Sequence, residues 1–143
     1  MGALQPKNLR HLPFGGSAAS GTAHIIGANG SSFLSGGAND RYVPDMTDTA
    51  VVVTWEVINT DGSNNLRVRF GPSSSAFTAA AGQVLDNYVT LKPGQAYNFP
   101  VFDRSQQIND VKGGPDYSIM LVEGDGGTCS YSGMATVWDP NDE

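Results

Sequence analysis

The sequence predicts an all-β chain: a single antiparallel β-sandwich, jelly-roll-like, with an extended N-terminal arm. Two observations carry this. Short runs with apolar residues at every second position recur at a spacing near ten residues. Nearly every run is closed by a cluster of Gly, Pro, Asn, Asp or Ser, and no segment carries a convincing helical pattern.

Residues 1–21 form the expected arm and residues 22–143 the sandwich. The arm holds Pro6, Pro13, Gly15-Gly16 and Gly21, and its apolar residues Leu4, Leu9, Leu12 and Phe14 suit neither helix nor strand spacing. A mere linker would lack such residues, so they are expected to dock on the parent domain or on another subunit. Ala23-His24-Ile25-Ile26 is a short strand ended by the Gly27–Gly30 turn. Residues 35–48 are irregular, with Tyr42 and Val43 as expected anchors, and a loop this long in a small domain is usually functional.

Val51, Val53, Trp55 and Val57 share one parity of a β-branched run and mark its buried face. Asn59-Thr60-Asp61-Gly62-Ser63-Asn64 is a turn, because Asp-Gly and Asn tolerate positive φ. Leu66, Val68 and Phe70 alternate with Arg67 and Arg69, a half-exposed strand. Residues 76–82 are Ala-rich and allow at most one helical turn. Val84-Leu85, Tyr88-Val89 and Leu91 supply one or two strands, closed by the Pro93-Gly94 type II turn. Tyr97-Phe99-Val101 alternates around Pro100, which places that strand at a sheet edge. Ile108 and Val111 flank a weak segment; Tyr117-Ile119-Leu121 is a central strand ended by Glu123–Gly127; Tyr131, Met134, Val137 and Trp138 form the last strand.

A chain of 143 residues is one domain large enough to bury a core without a staple, roughly 68–70% of its unfolded surface. Cys129 is the sole cysteine, so no internal disulfide or cysteine-cluster metal site forms. A lone thiol suits a reducing compartment, and Cys129 is expected as a half-buried strand residue. The formal charge of −6 argues against nucleic acid and against a polybasic membrane contact. No long apolar run opens the chain, so neither a signal peptide nor a membrane span is expected, and the protein is expected to be soluble. Lys7 and Arg10 precede every acid, whereas Asp139–Glu143 carries three acids and no base. That polarity could steer a positive arm to an acidic neighbour.

Catalytic constellations find no match. His11 and His24 are the only histidines, too few for a histidine metal site and poorly placed for a triad. Glu56 and Glu123 read as solvent-facing strand residues rather than a glycosidase pair. Asp61-Gly62-Ser63-Asn64 and Asp125-Gly126-Gly127 lack the ligand series of a calcium loop. No enzyme activity and no cofactor are therefore expected. Arg67 and Arg69, two apart on one strand face, are candidates for fork-like pairs with carboxylates of a neighbouring subunit. Trp138 with Tyr131 is a candidate sugar-stacking platform, whereas Trp55 belongs to the core parity.

The cassette Val57-Ile58-Asn59-Thr60-Asp61-Gly62, Leu66-Arg67-Val68-Arg69-Phe70-Gly71, Leu91-Lys92-Pro93-Gly94 and Phe99 resembles small virion proteins of tailed bacteriophages. The likeness runs from 50 to 123, with a longer turn at 60–65 and extra alanines in the 71–83 loop. Proteins of that kind are commonly capsid cement or decoration proteins. The resemblance implies a structural protein on the outer capsid surface of a virion, made in the host cytoplasm. It would clamp neighbouring major capsid subunits and stabilise the expanded shell. Its implied partners are the major capsid protein and itself, as a homodimer in preference to a homotrimer. Leu4, Lys7, Leu9, Arg10, Leu12 and Phe14 of the arm are the implied capsid contact. The rival expectations are a carbohydrate-binding module at a virion surface, or a tail or head-completion structural protein.

Overall fold

The computed structural model describes residues 9–28, 34, 37–47, 50–70, 88–100 and 120–138. Within them the valine-rich run is strand β4 (Val51–Asn59), in one sheet with β1 (Leu9–Ala18), β7 (Ala96–Pro100) and β9 (Cys129–Trp138). The second sheet comprises β2 (His24–Gly27), β3 (Asp40–Tyr42), β5 (Asn65–Phe70), β6 (Tyr88–Leu91) and β8 (Met120–Asp125). The sheet orders are β1-β9-β4-β7 and β3-β2-β8-β5-β6. All pairs are antiparallel except β2–β3. The pairs nest, β1 with β9, β2 with β8, β4 with β7 and β5 with β6, as though one long hairpin had been folded over.

The chain is a β-sandwich, as its strand and turn pattern predicts. Trp55, fully buried, sits in the core with Val57, Val68, Met120 and Val122. Burying each such side chain stabilises the fold by about 1.5–3 kcal/mol. β8 occupies the middle of its sheet, the central place expected for the strand through Leu121, although it continues through Glu123 to Asp125. Pro100 lies on β7 at a sheet edge, where a missing N–H breaks no ladder. At Pro93-Gly94 the Gln95 N–H donates to the Lys92 carbonyl at 2.9 Å while Gly94 takes φ +85°, the geometry of a type II turn.

Three sequence expectations are corrected. The stretch that suited neither helix nor strand is β1 from Leu9 to Ala18, paired residue for residue with β9. Pro13 is tolerated because β1 is an edge strand. Backbone pairing with β9, invisible in the local pattern, decides the conformation. The second correction is at Val53, expected inside but 39% exposed. Val52 pairs with Val137 and Thr54 with Thr136, so Val53 is the extra residue of a β-bulge. The bulge inverts the alternation, and Val52 becomes the buried neighbour of Val137. The third is Tyr42, which stands 42% exposed on β3 while Val43, joined by Met46, anchors that segment in the core. The elements expected at residues 71–87 and 101–119, with Val84-Leu85, Ile108, Val111, Tyr117 and Ile119, lie outside the described residues, as does 139–143.

Candidate functional site

β1 delivers the described part of the arm to the body of the domain. Leu12 is 6% exposed and joins the core, and Phe14 packs edge-to-face on Trp55 with centroids 5.8 Å apart. Arg10 donates from Nη1 to the Asp45 carbonyl at 3.3 Å, tying β1 to the chain after β3. Leu9 lies opposite Trp138, and both are half-buried. Leu4 and Lys7 lie outside the described residues. Of the expected arm contacts, Leu12 is therefore buried in this chain's own core and Phe14, half-buried, packs against it, the docking on the parent domain that the sequence allows beside docking on another subunit.

Arg67 and Arg69 stand on the outer side of β5, next to β8. Arg67 faces this chain's own Glu123 at 3.3 Å, with its guanidinium 5.0 Å from the centre of the Tyr88 ring. Glu123, expected in solvent, is buried, and desolvation raises its carboxyl above the ordinary range against the opposing pull of Arg67. Arg69 is half-buried beside it.

The Tyr131–Trp138 platform does not form. The two residues lie seven apart on one regular strand and so on opposite faces. Tyr131 is 3% exposed, and burial pushes its phenol up to about 12. The Tyr131 hydroxyl lies 2.9 Å from His24 Nδ1, and Arg41 Nη2 lies 3.3 Å from His24 Nε2. Around this trio lies a pocket of about 130 Å³ lined by Phe14, Gly15, Ile26, Arg41, Tyr42, Pro44 and Tyr131.

A second polar cluster ties the turn after β4. Asn59, fully buried, donates from Nδ2 to the carbonyls of Asn64 and Leu91, both at 2.9 Å. Its Oδ1 accepts from the Asp61 N–H at 2.8 Å and from the Cys129 thiol at 3.2 Å. Burial, then the nearby Asp61 charge, pushes that thiol up to about 11, so Cys129 is an inert packing residue rather than a nucleophile. The sequence showed Asn59 only as a turn residue, since nothing local marks an amide that bridges two sheets.

The outward side of the β1-β9-β4-β7 sheet has a different character. One row runs Pro13, Met134, Glu56, Asn98, and the next His11, Thr136, Thr54, Pro100. Met134 is 37% exposed and Val53 beside these rows 39%. Glu56 is the one formal charge among the two rows at neutral pH, so this is a flat and nearly uncharged face.

No family model and no curated protein matches this chain.

Among the described residues no group of three or more His, Cys, Asp or Glu side chains is placed to hold a metal ion. No helix among them is long and apolar enough to cross a membrane. The described geometry presents two surfaces of note, the outward face of the β1-β9-β4-β7 sheet and the polar trio of His24, Arg41 and Tyr131.

Proposed function

We propose that this chain is a structural virion protein that binds the outer surface of a phage capsid. There it clamps neighbouring major capsid subunits and stabilises the expanded shell. The cassette between Val57 and Phe99 supports this by its likeness to cement proteins. The structural observation that favours it is the exposed β1-β9-β4-β7 face, where Pro13, Met134 and Val53 surround the single carboxylate of Glu56. A flat sheet with little charge loses little on desolvation when pressed against another protein. The nested strand pairing favours the jelly-roll form of the sandwich.

Because Leu12 is buried in the core and Phe14 packs half-buried against it, the capsid contact falls to the outward residues of β1 and β9, together with Leu4 and Lys7 at the start of the chain. Binding the expanded shell alone stabilises it by mass action, and a homodimer repeating the contact adds avidity. Purified protein mixed with expanded shells that lack it should co-sediment with them and raise their heat resistance. Met134→Asp should weaken co-sedimentation at least about tenfold without unfolding the domain. Failure of the wild-type protein to co-sediment would sink the proposal. A count of a few copies per virion would instead indicate a tail or head-completion protein.

A further inference from the structure

We propose that His24 is a protonation-sensitive latch, holding β3 and the Arg41 wall of the pocket in place only while its imidazole is neutral. His24 lies on the inward side of β2, 6% exposed, opposite Val122 of β8. A guanidinium has donors and no acceptor, so Arg41 Nη2, at 3.3 Å, obliges His24 Nε2 to accept. The proton then sits on Nδ1 and is donated to the Tyr131 hydroxyl at 2.9 Å. One neutral ring thus links β3 of one sheet to β9 of the other.

Protonating Nε2 replaces the acceptor with a donor and sets two cations face to face. Among the described residues, the carboxylates of the adjoining strands β3 and β8 lie on the other face of the sheet. Asp40, next to Arg41 on β3, lies on the opposite face of that strand and accepts from the Gly37 N–H at 3.0 Å. Glu123 of β8 lies on the opposite face from Val122 and pairs with Arg67. Tyr131 of β9 is a neutral hydroxyl with Gly16 of β1 packed against it. Burial first, and the Arg41 charge second, already hold the His24 imidazole below its ordinary range.

Arg41 is also what ties the β3 approach together, because its Nη1 donates to the carbonyls of Ala38 at 2.7 Å and Asp40 at 2.8 Å. β3 has three residues and one neighbour among the described strands, held by bonds such as Ile25 N–H to Asn39 and Val43 N–H to Gly27. When Arg41 is repelled, this short strand is the piece that loosens, and the pocket between β1 and β3 opens. The inference does not depend on the capsid proposal.

The test is amide hydrogen exchange on the full chain at about pH 7.5 and about pH 5, corrected for intrinsic rates, with the His24 ring proton shifts followed in parallel. Protection of the Ile25 and Val43 amides should fall at least about tenfold at the lower pH, while amides of the β4–β9 ladder change less than about twofold. Arg41→Gln removes the like charge, so it should raise the His24 titration midpoint and shrink the pH effect to less than about twofold. His24→Gln should abolish the pH effect. If His24→Gln fails to fold, Arg41→Gln decides alone, since Arg41 is only half-buried. An undiminished pH effect in Arg41→Gln, an unshifted His24 midpoint in that variant, or equal protection at both pH values in the wild type overturns the proposal.

Discussion

Arg67 and Glu123 stand directly opposite each other on the β5–β8 ladder, guanidinium 3.3 Å from carboxylate, with the Tyr88 ring against the same guanidinium. Glu123 is tolerated in its buried position because Arg67 offsets part of its desolvation.

Replacing Arg67 by Met removes the cation facing a buried carboxylate, leaves it the Gly21 N–H, and should cost about 2 kcal/mol in urea unfolding at neutral pH. The double variant Arg67→Met/Glu123→Gln should recover most of that loss. The sign with pH follows from the raised Glu123 value. A carboxyl raised on folding favours the native state when protonated, and that stabilisation is lost as pH rises through the folded value. The Arg67→Met defect should therefore shrink on acidification. A defect that grows at low pH would contradict this role for the pair.

Asn59→Ala should destabilise by about 3 kcal/mol or more, because it orphans the Asn64 and Leu91 carbonyls and the Asp61 N–H together. Chemical denaturation reads the loss directly. A change under about 0.5 kcal/mol, typical of surface sites, would mean water replaces the amide.

Asp61 accepts from the Asn64 and Ser63 N–H groups, which pull its carboxyl down to about 2 from an ordinary 3.8, with further help from the Ser130 N–H and hydroxyl. A carboxyl lowered on folding contributes stability above its unfolded value, and this is lost as pH falls through the folded one. Thermal melts between 3.8 and about 2 should therefore show a steep fall for the wild type and a shallower one for Asp61→Asn. Parallel acid limbs in the two proteins would show that the turn does not depend on this carboxylate.

Gly133→Ala should cost about 2 kcal/mol, since a Cβ there would strike the Glu56 carbonyl and the rim of the Phe14 ring that packs on Trp55. Gly62→Ala is the matched control, with nothing within 4 Å of the added atom, and its melting curve should stay close to the wild type.

Much of the fold was legible because strands and turns are written locally. The alternation of Leu66 and Val68 with Arg67 and Arg69 became β5, the Pro93-Gly94 turn took its expected form, and Pro100 marked a sheet edge. The site was less legible. Arg67 looked outward in the pattern, yet its carboxylate partner comes from β8, more than fifty residues along the chain. The His24–Tyr131 bond spans 107 positions and left no local signal at either end.

By itself the sequence determined the β-sandwich class and placed β2, β4, β5, β6 and β7 close to their bounds, because side-chain alternation and turn chemistry act between near neighbours. Tertiary structure alone decided that Leu9–Ala18 is a strand, that Val52 rather than Val53 faces inward, and that Tyr131 is a buried hydrogen-bond partner. Those outcomes depend on which distant strand arrives alongside and in what register, which no local stretch of chain encodes.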